Sequence, residues 1–248
     1  MNDVTQAIIL KQTDYRERAA LVTVLTEDYG KLTLSAEGVR KLTSKNAGAL
    51  ITCTKAAVTI DYSEGRTMFR LKNARTVKAY RNIHADLILS AAAGVLSEIA
   101  DQMTYTDHDI ASAVKTYALL EEALDLLENN EKSDTVLALF LSTMMKNAGM
   151  SPNVDECVMC GRPNAAAISV RDGGFLCDRC AALAGIPPRS VTELKRFRLV
   201  SKAELRHYPI VKESTEHTIG ELTVLLEILN RHAGIEIRSF SLFQRVFH

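Results

Sequence analysis

The sequence predicts an α+β protein of two domains, in which β-strands come first and α-helices follow. Apolar residues alternate with a period of two in the first eighty residues and follow the period of an α-helix beyond residue 86. Two Cys-x-x-Cys motifs lie within the helical part. A chain of 248 residues is long enough for two modest cores. We therefore expect one domain over residues 1–82 and a second over residues 83–248.

The strand pattern is clearest where Ala56, Val58, Ile60 and Tyr62 occupy every second position, and residues 32–36 repeat it. The five predicted strands lie at residues 4–11, 20–26, 32–36, 56–62 and 67–77, with turn residues between them. Five short strands in about eighty residues fit a small barrel. Both a five-stranded oligonucleotide-binding (OB) barrel and an SH3-like barrel have this size.

Three helices are predicted in the second domain. The first follows a cap at Thr106 or Asp107. Its apolar stripe consists of Ile110, Val114, Tyr117, Leu120, Leu124 and Leu127. The second, over residues 133–149, is apolar on most sides and is therefore expected at the centre of a bundle. The third covers residues 215–234, where Gly234 is a C-terminal cap.

Composition places the chain among globular proteins, because 47% of its residues are hydrophobic and 24% are charged. No apolar run approaches the roughly 20 residues that span a bilayer, and the first residues lack a signal-peptide pattern. We expect a cytoplasmic protein with no membrane contact. Residues 1–80 carry a net charge of +5 and residues 81–150 a net charge of −7. Opposite charges in adjacent segments suggest surfaces for different partners.

The most specific motif is a pair of cysteine knuckles, Cys157-Val-Met-Cys160 and Cys177-Asp-Arg-Cys180. Their spacing is typical of a site in which four thiolates bind one structural Zn²⁺ and leave no position for substrate. A β-hairpin is predicted between the knuckles, so residues 154–183 form a zinc ribbon. Disulfides or four unrelated buried cysteines are the alternatives, which a reducing cytoplasm disfavours. Cys53 is expected to be a small buried residue.

Lysine and arginine residues cluster at the turns of the predicted barrel. The candidate nucleic-acid contacts are Lys31, Arg40, Lys41, Lys45, Arg16, Arg18 and Arg66. Cations interspersed with Tyr15, Tyr29, Tyr62 and Phe69 suit a groove for a single strand, although such cations are more often only a solvated surface. The basic segment 189–206 is predicted first as a solvated helix face and second as a site for an acidic partner peptide or duplex DNA.

Several catalytic motifs are missing from the sequence. There is no phosphate-binding loop, nucleophile elbow or His-Glu-x-x-His helix, and the six histidines show no spacing typical of a catalytic triad. We therefore expect a binding protein and not an enzyme. An enzyme with a cleft assembled from scattered polar residues and a protein-binding scaffold both stay open as alternatives.

Five segments together resemble the RecO family of recombination mediators. They are Leu25–Lys31, Ala36–Lys41, Asn147–Pro152, Cys157–Gly161 and Arg238–Phe240. Each motif alone is modest, but their order along the chain agrees with the family over essentially the whole length. Residues 51–53 depart from the family pattern, in which Gln-Pro-Phe often stands at that place.

The resemblance implies an OB barrel followed by an α-helical domain with an inserted zinc ribbon. It also implies that the protein binds single- and double-stranded DNA, anneals complementary strands, associates with the nucleoid and, with RecR, helps load RecA onto DNA coated by single-stranded DNA-binding protein. Lys31, Arg40, Lys41 and Lys45 become the leading DNA contacts, and the four ribbon cysteines the zinc ligands. The alternative function is a zinc-ribbon module that binds RNA or acts in translation.

Overall fold

A computed structural model describes residues 3–15, 17, 19–39, 44–63, 65–66, 68–105 and 110–247. The chain divides into two compact units. Unit 1 consists of Met1–Glu131 and Ser239–His248, and unit 2 of Lys132–Arg238. The sequence predicts a domain boundary after residue 82, and this boundary stays a prediction. The compact unit that contains the barrel also includes the helices that directly follow it.

The five strands of unit 1 pair around a closed ring. They are β1 (Asp3–Tyr15), β2 (Ala19–Thr26), β3 (Gly30–Glu37), β4 (Lys55–Ile60) and β5 (Met68–Lys78). Around the ring the order is β1, β2, β3, β5, β4, and β4 pairs with β1 to close it. β3 and β4 are consecutive in the chain but not neighbours, and β3 pairs in parallel with β5. This Greek-key order is that of an OB barrel, so the predicted five-stranded OB barrel is confirmed.

The barrel core contains the alternate residues that the sequence pattern indicates. Ala56, Val58 and Ile60 are fully buried along β4, and β3 repeats the pattern. A slip of one residue would turn such a set toward solvent, so the alternation fixes the register. β1 is longer than predicted because residues 3–8 pair with β4 while residues 7–15 pair with β2.

Nine α-helices follow within the described part of the chain. They are α1 (Arg81–Ala85), α2 (Leu87–Met103), α3 (Ile110–Glu128), α4 (Ser133–Asn147), α5 (Asp178–Ala184), α6 (Val191–Lys202), α7 (Tyr208–Ser214), α8 (Ile219–Ala233) and α9 (Phe240–Phe247). In unit 1, the Asp86 carboxylate caps α2 by accepting a hydrogen bond from the backbone N–H of Leu89. Glu98 on α2 accepts hydrogen bonds from the backbone and hydroxyl of Ser239, so the chain returns to unit 1 at α9.

The predicted helices are confirmed with different ends. Tyr117 and Leu124 are buried on α3, whereas Ile110 of the predicted stripe is 52% exposed. The predicted caps Thr106 and Asp107 lie outside the described residues. α4 is buried at every position from Ser133 to Met145, as a central helix should be.

A buried carboxylate in unit 2 explains why the third predicted helix starts later than the sequence indicates. Asp134, only 1% exposed, accepts a hydrogen bond from the backbone N–H of Thr218 at 2.6 Å, directly before α8. The preceding residues form α7, which ends at Ser214. No helix among the described residues is long and apolar enough to cross a membrane.

Candidate nucleic-acid interface and metal centre

One side of the barrel presents four hydroxyl side chains and one leucine. Core residues of β2 and β3 pair with one another, so the alternate pairs Thr23 with Thr33 and Leu21 with Ser35 point outward. Thr13 on β1 pairs with Leu21 and extends the same surface. We call these five residues the β1–β2–β3 face. Hydroxyl groups of this kind bind phosphate and sugar oxygens, and the β2–β3 surface is where OB barrels bind oligonucleotides.

The aromatic residues of the predicted groove pack mainly on one another. The ring centroids of Tyr29 and Tyr62 lie 4.3 Å apart, and those of Tyr62 and Phe69 lie 5.2 Å apart. Phe69 belongs to the barrel core. Burial raises the pKa of Tyr29, and the charges of Asp3 and Asp28 raise it further. The stack therefore serves the fold, in surroundings whose negative charge disfavours phosphate.

Lys31, the first predicted DNA contact, is engaged inside unit 1. Its Nζ donates to the backbone oxygen of Asp101 at 2.6 Å and to the carboxylate at 3.2 Å, and its side chain is only 12% exposed. Lys11 on β1 reaches the same carboxylate at 3.2 Å. Asp101 on α2 thus joins two barrel strands to one helix. This geometry favours a structural role for Lys31 over contact with phosphate.

Two more barrel lysines are bound by α3. Lys55 and Lys78 are direct partners across β4 and β5, a position where two like charges repel. Lys55 pairs with Glu121, and Lys78 pairs with Asp125 at 2.7 Å, one turn further along α3. Carboxylates of the acidic second segment therefore neutralise part of the charge of the basic first segment within unit 1.

Three other barrel cations are available to solvent. Lys45, Arg66 and Arg75 are exposed and make no ion pair with another described residue. Arg75 is absent from the predicted contacts, although its place among exposed cations of β5 is a signal that could have found it. The remaining predicted contacts, Arg16, Arg18, Arg40 and Lys41, lie outside the described residues.

The four ribbon cysteines converge in unit 2. The sulfur atoms of Cys157, Cys160, Cys177 and Cys180 all lie within 4.8 Å of one another, and none forms a disulfide. The sulfurs of Cys160 and Cys177 are 3.6 Å apart. Tetrahedral Zn²⁺ with bonds of about 2.3 Å needs sulfurs separated by roughly 3.8 Å. The donor set and its spacing therefore fit one zinc ion.

Backbone groups prepare this cluster for a cation. Burial opposes ionisation of Cys157, but hydrogen bonds from the backbone of Cys177, Met159 and Cys160 lower its pKa to about 6. Burial, together with hydrogen bonds to the other three cysteines, raises the pKa of Cys180 to about 12. A bound dication reverses such a penalty and deprotonates its thiols.

Glycines shape the ribbon around the cysteines. Gly161 has a φ of +71°, which is the freedom that the first knuckle was predicted to need. The hairpin consists of β6 (Ala167–Ser169) and β7 (Gly174–Leu176), as predicted. A Cβ atom on Gly174 would lie 2.2 Å from the backbone oxygen of Asn153, so only glycine fits there.

Most cations of the basic segment 189–206 are paired. Asp155 of the ribbon binds both Arg198 and Lys202 of α6, at 2.7 and 2.5 Å, and the hydrogen bond from Lys202 in particular lowers the pKa of Asp155. Arg189, Arg196 and Arg206 pair with Glu193, Glu221 and Glu204, respectively. The segment therefore ties the ribbon to the helices of unit 2, which agrees with the first of the two sequence interpretations.

One groove of unit 2 combines cations with apolar side chains. Lys195, Arg198 and Lys202 line a cavity of about 470 Å³ together with Leu199 and Ile210. Ile210 is 65% exposed, although it is apolar. Two cations share the single carboxylate of Asp155, so the groove keeps a positive charge.

Two family models together match nearly the whole chain. The model described as Recombination protein O N terminal matches residues 1–80, and the model described as Recombination protein O C terminal matches residues 84–239. The chain belongs to the RecO family. DNA repair protein RecO of Myxococcus xanthus (strain DK1622) is 30% identical over 249 residues, covering 97% of this chain and 96% of that protein. DNA repair protein RecO of Bacillus pumilus (strain SAFR-032) is 27% identical over 240 residues, covering 95% and 91%.

The RecO resemblance given by the sequence motifs is thus confirmed over almost the full length. The RecO family is one of DNA repair proteins, and neither relative's name denotes a catalysed reaction. The structure adds the elements expected of a RecO protein: an OB barrel, a helical part and a cluster of four cysteines that can hold zinc.

Proposed function

We propose that this protein is a recombination mediator that binds single- and double-stranded DNA, anneals complementary strands and, with RecR, helps load RecA onto DNA coated by single-stranded DNA-binding protein. The observation that supports this most is a closed OB barrel in a RecO family chain, with an outward face on which four of five residues carry hydroxyl groups. The barrel would bind phosphates at the β1–β2–β3 face, and the exposed cation Arg66 would add charge.

Annealing by such a surface requires no nucleotide hydrolysis. Two DNA strands repel one another through their phosphates, and a cationic protein that neutralises part of this charge lets complementary bases meet. Because the contacts are with the backbone, binding should depend little on base sequence. The proposed mechanism therefore rests on charge neutralisation and proximity.

The test is fluorescence anisotropy with a labelled single-stranded DNA and a matched RNA, at about 50 and about 200 mM salt. We expect tight binding to DNA at the lower salt, a steep fall at the higher salt and little dependence on sequence. A strong preference for RNA would instead support the RNA-binding alternative. Absence of binding at the lower salt would reject the proposed function in favour of a protein scaffold.

The four cysteines would hold one structural Zn²⁺ in the ribbon. The ion would fix the two knuckles against each other, and the ribbon in turn packs on α6 through Asp155. We expect one zinc per chain by elemental analysis, and a Cys177→Ser variant with less than half of that. Thiol titration is an independent readout: a chelator should raise the number of reactive thiols from near zero to four. A protein with full zinc after Cys177→Ser would contradict this ligand set.

The positive groove lined by Lys195 and Ile210 is proposed as the docking site for an acidic segment of a partner protein. Its charge complements carboxylates and its apolar residues complement a hydrophobic side chain. RecR and single-stranded DNA-binding protein are the partners that the RecO resemblance implies. We expect Lys195→Glu to weaken binding of one of them at least tenfold in a titration, while Arg189→Glu, at a paired cation outside the groove, changes it less than threefold. Equal effects of both variants would reject the groove.

A further inference from the structure

The cations of the barrel fall into three groups according to their partners. Lys11, Lys31, Lys55 and Lys78 are bound by carboxylates of α2 and α3. Arg70 and Lys72 form exposed pairs with Glu37 and Asp61, and such pairs contribute little and yield readily to a competing anion. Lys45, Arg66 and Arg75 have no carboxylate partner among the described residues. The third group holds the charge that is free for an external anion.

Lys45 and Arg75 are far apart in sequence but are brought together by a specific contact. The side-chain oxygen of Asn46 accepts a hydrogen bond from the backbone N–H of Ala74 at 3.1 Å. Lys45 precedes the first of these residues and Arg75 follows the second. Both side chains are exposed. The contact therefore places Lys45 and Arg75, neither of which has an ion-pair partner in the described part of the chain, on one patch of the barrel.

This patch lies on a different part of the barrel from the β1–β2–β3 face. Arg75 pairs across the strands with Ala57 of β4, and Ala57 in turn pairs with Gln6 of β1. β5 follows β3 around the ring and β4 follows β5. Of the outward residues of β4 near Arg75, Ala57 and Thr59 carry no charge and Lys55 is a cation. No carboxylate on this strand therefore neutralises the two cations.

A row of further cations leads from one surface to the other. Arg70 stands beside Ser35 of the β1–β2–β3 face, because β3 and β5 pair at these positions. Arg75 lies five positions after Arg70 on β5, a distance of roughly 16 Å at about 3.3 Å per residue. Lys72 lies between them. The outward residues of β5 thus form a row of cations between the two surfaces.

We propose that Lys45 and Arg75 form a second phosphodiester site, which binds one DNA strand while the β1–β2–β3 face binds the other. The inference rests on the proposed function, because it names how one barrel holds the two strands that are to be annealed. When each surface binds one DNA strand, the phosphates of both DNA strands lie beside the cations of β5. These cations screen the repulsion between the two DNA strands. Arginine and lysine both bind the negative oxygens of DNA phosphates through charge-assisted hydrogen bonds.

The experiment uses the full chain and two complementary labelled oligonucleotides. Lys45→Ala/Arg75→Ala is compared with wild type and with Lys115→Ala, which removes an exposed cation from α3 of the same unit. The first-strand affinity is measured by anisotropy, and annealing is followed by energy transfer between the labels. Unfolding followed by circular dichroism checks that all variants are folded, and the single variant Arg75→Gln replaces the double one if it is not.

We expect the double variant to bind the first strand within about threefold of wild type and to anneal at least tenfold more slowly. The salt slope of second-strand binding should fall by about 1.4, since each phosphate contact to a single strand contributes about 0.7. If the double variant anneals the two strands at the wild-type rate, the proposed second site is refuted. If the first-strand affinity falls together with the annealing rate, the second site is not separate from the β1–β2–β3 face. A wild-type protein that binds no DNA refutes the proposed function, and with it the ground for this site.

Discussion

Two sets of cations on the same barrel have opposite roles. On the side that meets α2 and α3, lysines such as Lys31 and Lys55 are bound by carboxylates and largely shielded from solvent. Elsewhere on the barrel, Lys45, Arg66 and Arg75 are exposed and lack a carboxylate partner among the described residues. Lysine and arginine residues of one small barrel thus stabilise the fold at some positions and are available to bind an external anion at others. Burial and partners distinguish these roles, whereas composition does not.

The largest effect is expected from Asp101→Ala, which removes the partner of both Lys31 and Lys11 at once. Lys31 is then left shielded and uncompensated, so the free energy of unfolding of the barrel unit should fall by about 2–3 kcal/mol. Urea unfolding followed by circular dichroism measures this. Asp61→Ala, at an exposed pair, is the control and should cost less than about 0.5 kcal/mol. Equal costs would mean that the inner pairs are no more important than the outer ones.

Gly30→Ala tests how closely the barrel packs on α3. Gly30 has a φ of +71°, and a Cβ atom there would lie 3.1 Å from the Cβ of Ala113. The backbone conformation alone costs a non-glycine residue about 1–2 kcal/mol, so we expect a loss of about 2 kcal/mol. Gly48→Ala, where no atom lies within 4 Å of the new Cβ, should be nearly neutral. A stable Gly30→Ala protein would show that this junction is loosely packed.

Lys31→Ala separates the structural role from the predicted DNA contact. We expect unfolding to become easier by about 1 kcal/mol, because Asp101 loses one of its two lysines. Affinity for single-stranded DNA should change less than twofold. The opposite result, weaker DNA binding at unchanged stability, would restore Lys31 to the DNA contacts that the sequence predicted.

Arg66→Ala is the reciprocal test and carries the smallest effect on the fold. Its side chain is exposed, so stability should stay within about 0.5 kcal/mol of wild type. DNA affinity should fall about threefold and the salt slope by about 0.7, which anisotropy at several salt concentrations can measure. An unchanged slope would remove Arg66 from the interface.

The sequence pattern predicted the parts of the fold that depend on local periodicity. Alternation at Ala56, Val58 and Ile60 located β4, and the continuous apolar surface of residues 133–145 located the central helix. The cysteine cluster could be predicted because a Cys-x-x-Cys turn brings each pair together locally. Only the meeting of the two pairs is a tertiary event, and the hairpin between them is short.

The functional assignment of the cations could not be predicted in the same way. Lys31 and Asp101 are 70 residues apart, and Lys55 and Glu121 are 66 apart, so no local pattern indicates that they meet. The proximity of Arg75 to Lys45 could not be predicted for the same reason, since it depends on the tertiary contact between Asn46 and Ala74. The late start of α8 likewise depends on Asp134, which is distant in sequence from Thr218.

The return of the chain from unit 2 to α9 also has a consequence for synthesis on the ribosome. Glu98 binds Ser239, which is made 141 residues later. At about 5–20 residues per second, that interval is roughly 7–28 s. During this time the α2 surface that α9 covers is exposed, while all of unit 2 is translated. Unit 1 therefore cannot complete its fold until α9 has been synthesised. A chaperone that binds apolar surface can act on the exposed surface of α2 during this interval.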